Sequence, residues 1–145
     1  RDYQNRHPGL RNFRHMISVS GIEFELNGDD LDITLIQGDT LGFSFLLTDD
    51  EVPMDVTGFT AEMILRRSPK DPNTYLRLAT DNDRIVMGSR DGLVYVRMTS
   101  AEMAELRPAS GVWSIKIRNP NDTDDDPDGR VITGQSGAWR IKIQR

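Results

Sequence analysis

Residues 32–66 read DITLIQGDTLGFSFLLTDDEVPMDVTGFTAEMILR. Three runs within this stretch carry apolar residues at alternate positions, the pattern of β-strands with one buried face. The alternating residues are Ile33 and Leu35, then Leu41, Phe43, Phe45 and Leu47, then Ala61, Met63 and Leu65. Gly38-Asp39 and the acidic segment 49–53 separate the runs with turn-forming residues. The stretch therefore predicts three strands of an antiparallel β domain.

Length and composition agree with one β domain. A chain of 145 residues is long enough for one domain that buries about two-thirds of its unfolded surface. The low hydrophobic content of 37%, with 12 glycines and 7 prolines, suits a loop-rich β fold. Because the chain has no cysteine, disulfides and thiolate chemistry are excluded. No apolar run is long enough to span a bilayer, so we predict no membrane contact.

Charge divides the chain into a basic N-terminal arm (residues 1–16) and a domain (residues 17–145). The arm has a net charge of +3, which leaves −8 on the domain because the whole chain carries −5. An acidic domain repels phosphate, so we predict no nucleic-acid binding. Arginine and aromatic residues are enriched at interface hot spots, so the arm is expected to bind a partner, although a terminal arm without a role is the alternative. The predicted partner-binding residues are Arg6, Arg11, Phe13 and Arg14.

The remaining segments predict further strands and one helix. Gly21 interrupts the alternating run 17–26 and predicts a bulge or a sharp bend. Asn27-Gly28 predicts a hairpin turn that leads into the first strand of the central stretch. In the run 93–98, the phase Val94, Val96 and Met98 is more apolar than Leu93, Tyr95 and Arg97, and is predicted to face inward. Thr99 with Glu102 forms a capping box, which predicts a short helix that carries the chain between two sheets.

Two similar segments near the C-terminus, VWSIKIR (112–118) and AWRIKIQR (138–145), predict two strands with an apolar inner face and a basic outer face. Trp113 and Trp139 could form a sugar-stacking platform. Their phase with the neighbouring isoleucines favours buried core positions instead. Gly134 and Gly137 are predicted to precede the last strand, at its entrance.

An acidic loop separates these two strands. Asp124, Asp126 and Asp128 match the first half of a calcium loop, but the twelfth position is Gln135 instead of the bidentate glutamate. Three interpretations stay open: a solvated acidic loop, a calcium site, and a contact with a basic partner surface such as the arm of another copy. We predict the solvated loop, and no metal or cofactor.

Catalytic motifs are not apparent. His7 and His15 both lie in the arm, away from any pocket that the domain would provide. We predict that the protein is not an enzyme.

Several turn and strand-entry motifs occur in a recognisable order. They are IQGDT (36–40), PMDVTG (53–58), TAEMILR (60–66), DGLV (91–94), TSAEM (99–103) and GVW (111–113). In this order they resemble the small immunoglobulin-like proteins and domains of tailed-phage virions, similar to the N-terminal domain of baseplate upper proteins. The resemblance covers residues 31–145, while the first 30 residues and the acidic insertion 121–129 depart from it.

Together, the patterns and the resemblance predict an all-β, antiparallel two-sheet sandwich of immunoglobulin type, with about seven to nine strands and one short helix. The resemblance implies a structural virion protein, assembled in the host cytoplasm, that acts as an adaptor or assembly subunit of the tail or baseplate. Its partners would be other virion proteins, in a homo- or hetero-oligomer. The alternatives are a capsid decoration protein and a carbohydrate- or calcium-binding β-sandwich module.

Overall fold

A computed structural model describes residues 16–124 and 126–143, apart from the side chains of Ser18 and Val19. These residues form twelve strands, a single turn of 3-10 helix (Thr80–Asn82) and one short α-helix, α1 (Ser100–Ala104). The strands are β1 (Met16–Ser20), β2 (Ile22–Asn27), β3 (Asp30–Ile36), β4 (Leu41–Leu46), β5 (Thr48–Asp49), β6 (Val52–Pro53), β7 (Thr60–Arg66), β8 (Leu76–Ala79), β9 (Ile85–Met87), β10 (Leu93–Met98), β11 (Ser110–Asn119) and β12 (Arg130–Lys142).

Ten of these strands form two sheets, in the orders β1-β4-β10-β9 and β2-β3-β12-β11-β7-β8, while β5 and β6 form a separate two-stranded ribbon. Buried apolar side chains of both sheets form one core, so the predicted all-β sandwich is confirmed. The two sheets contain ten strands, which is more than the expected seven to nine. All strand neighbours run antiparallel except β3 and β12, which are parallel.

The three runs of the central stretch form β3, β4 and β7, and their alternating apolar residues are buried as predicted. The three strands are not neighbours in one sheet. The strand β4 lies in the four-stranded sheet, whereas β3 and β7 lie in the six-stranded sheet. The chain therefore crosses the core twice between Asp32 and Arg66, and the stretch supplies both layers of the sandwich.

Gly21 divides the first alternating run between the two sheets. It has a φ of 79°, a conformation that favours glycine, and a Cβ there would lie 2.6 Å from the carbonyl oxygen of Thr40. The predicted bend is confirmed. As a result β1 forms one edge of the four-stranded sheet, and β2 forms one edge of the six-stranded sheet.

The last strand is longer than predicted. It begins at Arg130, so Gly134 and Gly137 lie inside β12 and not at its entrance. Gly137 is needed there for space, because a Cβ would lie 2.0 Å from the carbonyl oxygen of Leu31 on β3. The glycine allows β3 and β12 to approach closely, whereas the sequence pattern alone placed it before the start of the strand.

The helix α1 connects β10 of one sheet to β11 of the other, as predicted. The Thr99 hydroxyl accepts from the Glu102 backbone N–H at 3.2 Å, and the Glu102 carboxylate accepts from the Thr99 N–H at 3.0 Å. Met103 is fully buried and anchors the helix on the core. Val94, Val96 and Met98 face inward, which leaves the other side of β10 on the outer surface.

Candidate functional site

The predicted partner-binding residues lie outside the described part of the chain. They are Arg6, Arg11, Phe13 and Arg14. His7 and His15 also lie outside it. Met16 begins β1 and is paired with Phe45 of β4, so the arm joins the domain at the edge of the four-stranded sheet.

The outer face of this four-stranded sheet carries a row of side chains in register across all four strands. Ile17 of β1 pairs with Ser44 of β4, Ser44 pairs with Tyr95 of β10, and Tyr95 pairs with Val86 of β9. Leu46 and Leu93 pair directly beside this row and share its face, because they are two residues from Ser44 and Tyr95. We call these residues the apolar stripe: Ile17, Leu46, Val86, Leu93 and Tyr95, with Ser44 between them.

The apolar side chains of the stripe are accessible to solvent, whereas Ser44 between them is buried. Ile17 is 59% exposed and Tyr95 is 41% exposed, while Leu46, Val86 and Leu93 are half-buried. None of the positions in the stripe carries a charge. Single exposed apolar residues are ordinary, but a contiguous group in register across a sheet is a recognised mark of an interaction surface.

Charged groups border the stripe at both ends. At one end, Arg97 donates to the carbonyl oxygen of Asp83 at 3.1 Å, and Arg84 is paired with Glu102 at 2.8 Å. At the other end, the exposed acidic turn 49–51 begins with the last residue of β5 and leads into β6, two residues after Leu47. The backbone N–H of Leu47 donates to the carbonyl oxygen of Gly92 at 2.9 Å. This bond holds the chain beside the start of β10 just before the acidic turn.

The outer face of the six-stranded sheet has a different character. Its exposed side chains include charges of both signs, with pairs such as Arg77 with Glu62 (2.5 Å) and Lys142 with Glu23 (3.7 Å), beside fewer apolar ones such as Val131. Hydrogen bonds from Arg77 to Asp81, and then to Glu62, raise the pKa of its guanidinium. These features are typical of a face that meets water.

A shallow depression of about 470 Å³ lies on this same face. Ile64, Val112 and Ala138 contribute apolar surface to it, and Asp32 and Arg66 add charge. The Asp32 carboxylate already accepts a hydrogen bond from the Ala138 backbone N–H at 3.0 Å. Asp32 thus connects β3 to β12, so this carboxylate has a structural use.

The acidic loop is held by a basic side chain of the sheet. Arg118 donates to Asp126 and to the carbonyl oxygen of Gly129, both at 2.8 Å. The hydrogen bond from Arg118, followed by one from the Asp128 backbone, lowers the pKa of Asp126. Asp126 therefore binds an arginine within the chain. The residues that match the first half of a calcium loop, which was an alternative interpretation, do not form a group of carboxylates around one point. Within residues 16–124 and 126–143, no group of three His, Asp or Glu side chains is arranged to hold a metal ion.

The two tryptophans are core residues, as predicted. Trp113 is 4% exposed and its indole N–H donates to the carbonyl oxygen of Leu31 at 2.8 Å. Trp139 is 1% exposed and donates to the carbonyl oxygen of Arg66 at 2.8 Å. Neither ring presents a face to solvent, so the tryptophans provide no sugar-stacking platform.

The apolar stripe was not recognised from the sequence, although a signal was present. The outer phase of β10 contains Leu93 and Tyr95, which are apolar enough to compete with the inner phase. Residues 17, 44, 86 and 95 are far apart in the chain, and only their strand register brings them into one row.

Two comparisons with known proteins identify no relative of this chain. No protein-family model matches the chain, and a search of curated proteins finds no match. In the described residues, no helix has the length and apolar character needed to cross a membrane.

Proposed function

We propose that the protein is a structural virion protein of a tailed bacteriophage, which acts as an adaptor or assembly subunit in the tail or baseplate. It works through protein–protein contacts and catalyses no reaction. The observation that carries the assembly role is the apolar stripe, because an uncharged row across a whole sheet face has its natural complement in another protein surface. The partners are other virion proteins, and the site of action is the virion, assembled in the host cytoplasm.

Strand order supports the immunoglobulin-type assignment. In that fold, strands A, B, E and D form one sheet, and strands C, F and G form the other. The order β1-β4-β10-β9 corresponds to A, B, E and D, and β7, β11 and β12 correspond to C, F and G. Three further strands extend the second sheet beyond this pattern, β2 and β3 on one side and β8 on the other.

The motifs that resemble phage virion domains have structural uses here. Gly38, Gly58 and Gly92 each lie within one of these motifs and have a positive φ, of 90°, 79° and 70°. Asp55 accepts from the backbone and the hydroxyl of Thr57 within the PMDVTG motif, at 3.0 and 2.6 Å. The hydrogen bonds from the Thr57 hydroxyl and backbone lower the pKa of Asp55. Motifs of this kind specify turns, so they support a shared fold, and the phage placement depends on the resemblance.

The phage placement is tested on purified particles made from the genome that encodes this chain. Immunogold labelling with an antibody against the domain is expected to mark the tail tip or baseplate, with mass spectrometry as the check that the chain is present. Label on the head would instead support the capsid decoration role. If the chain is made in infected cells but is absent from purified particles, the proposed function is wrong.

A further inference from the structure

We propose that the apolar stripe receives the N-terminal arm of a second copy of this chain, with Leu10 and Phe13 on the stripe. The arginines of the arm would then lie toward the acidic turn 49–51. This inference rests on the proposed assembly function and names one partner for it. The arm would hold neighbouring copies together in the way that an exchanged terminal segment does.

The chemistry of the two segments is complementary. The stripe offers apolar side chains without charge, and the arm contains Tyr3, Leu10 and Phe13. Burying a phenylalanine or leucine side chain contributes favourably in proportion to the apolar area that leaves water. The acidic turn 49–51 at one end of the stripe attracts arginine, and residues 1–16 carry a net charge of +3. The arm and the stripe therefore match in both polarity and charge.

The point where the arm joins the domain places it near the stripe. Met16 pairs with Phe45, whose chain neighbour Leu46 belongs to the stripe. The arm thus leaves the domain at the end of the stripe formed by Leu46 and Leu93, which is also the end bordered by the acidic turn. Fifteen residues can reach about 50 Å when extended, which is enough to contact a neighbouring copy.

The sequence of the arm favours a second copy over the same chain. The arm continues β1 away from the apolar stripe of its own chain. An arm that bound this stripe would therefore have to reverse direction just before Met16. Residues 10–15 contain neither glycine nor proline, and Asn12, the one turn-forming residue among them, precedes Phe13, so a reversal at Asn12 would not return Phe13 to its own sheet. The turn signal Pro8-Gly9 comes too early to return Phe13 to its own sheet.

Chemical cross-linking in the full chain tests this inference, because the chain has no native cysteine. Phe13→Cys and Tyr95→Cys are placed in separate chains, one of them isotope-labelled, and the mixture is treated with a short bismaleimide. This reagent relaxes the strict geometry that a disulfide requires. The expected product is a mixed dimer that joins positions 13 and 95, several-fold above the yield with Ser136→Cys. Ser136 is exposed on the outer face of the six-stranded sheet and is the matched control.

Three results would overturn the inference. The first is a yield equal to that of the Ser136→Cys control. The second is the absence of a product both from Phe13→Cys and from a second arm variant, Leu10→Cys. The third is a link that forms only within a single chain when Phe13→Cys and Tyr95→Cys are combined in one double variant. The particle experiment is independent of this test. A mixed dimer from a chain that is absent from virions would leave the docking contact intact and remove the phage placement, and the reverse result would remove only the contact.

Discussion

The two outer faces of the sandwich differ although both belong to sheets with one buried side. The face of the six-stranded sheet carries charges of both signs that pair across strands, as Arg77 does with Glu62. The face of the four-stranded sheet carries the apolar stripe, with charged groups only at its ends. Solvent exposure alone would favour the first composition on both faces. The difference is what the proposed assembly role requires, since an uncharged face suits contact with another protein surface.

The largest effect is expected from a change that breaks the six-stranded sheet. Gly137→Ala would bring a Cβ within 2.0 Å of the carbonyl oxygen of Leu31, so β3 and β12 must separate. We expect a loss of about 3 kcal/mol in the free energy of unfolding, at the upper end of the usual range for overpacked positions. Chemical denaturation measures it, with Ser136→Ala as the neighbouring control that faces solvent. A loss no larger than that of the control would show that the close approach of the two strands is unnecessary.

The next prediction tests the contrast between the faces directly. Tyr95→Glu places a charge in the centre of the apolar stripe and should weaken self-association at least tenfold, which corresponds to about 1.4 kcal/mol. Ser136→Glu adds the same charge to the opposite face and should leave association unchanged. Light scattering over a concentration series measures both variants. The free energy of unfolding should change little for either, since both positions are exposed. Equal association of the two variants would contradict the assignment of the stripe.

A smaller effect is expected when the contact between Arg118, on the outer face of the six-stranded sheet, and the acidic loop is removed. Arg118→Met removes the hydrogen bonds to Asp126 and to the carbonyl oxygen of Gly129 but keeps most of the apolar stem. We expect the melting temperature to fall by about 3 °C, together with faster amide hydrogen exchange in residues 126–129. Lys116→Met, two residues away on the same exposed face, is the control. Unchanged exchange in the loop would mean that Arg118 does not hold it.

The smallest effect concerns pH at the charged end of the stripe. The backbone hydrogen bond from Thr99, and then the hydrogen bond from Arg84, lower the pKa of Glu102. A carboxyl whose pKa is lowered by folding contributes stability above its unfolded pKa, and this contribution is lost as the pH falls through the folded value. The loss is expected to stay below about 1 kcal/mol, because the side chain of Glu102 is 39% exposed and water screens the pair.

Melting curves at about pH 7 and about pH 3 measure this contribution. Glu102→Gln keeps an acceptor for the Thr99 N–H but does not titrate, so its melting temperature should fall less on acidification than that of the unchanged chain. An identical fall in both proteins would exclude Glu102 as a source of the acid sensitivity.

Several local features could be predicted from particular residues. The alternation of Phe43 and Phe45 identified a strand and its buried face, and Thr99 with Glu102 identified the start of the helix. Gly21 marked a bend between two strands. These features depend on neighbours within a few residues, so the local pattern contains the information needed to predict them.

The candidate site could not be predicted in the same way. The partner-binding residues proposed from the sequence, Arg6, Arg11, Phe13 and Arg14, lie outside the described residues and stay a prediction. The apolar stripe combines residues of β1, β4, β9 and β10, and no local pattern specifies that these strands are neighbours.

The sequence by itself determined the β class, the inner and outer face of most strands, the turns and the helix cap. Only the tertiary structure decided that β4 leaves the sheet of β3 and β7, that β3 runs parallel to β12, and that Gly137 lies within a strand. The physical reason is that side-chain alternation distinguishes two faces, whereas strands pair through backbone groups that every residue except proline carries in the same form. The choice of neighbour therefore depends on packing of the whole core, and that packing places Ile17 beside Ser44 and Tyr95 on one exposed face.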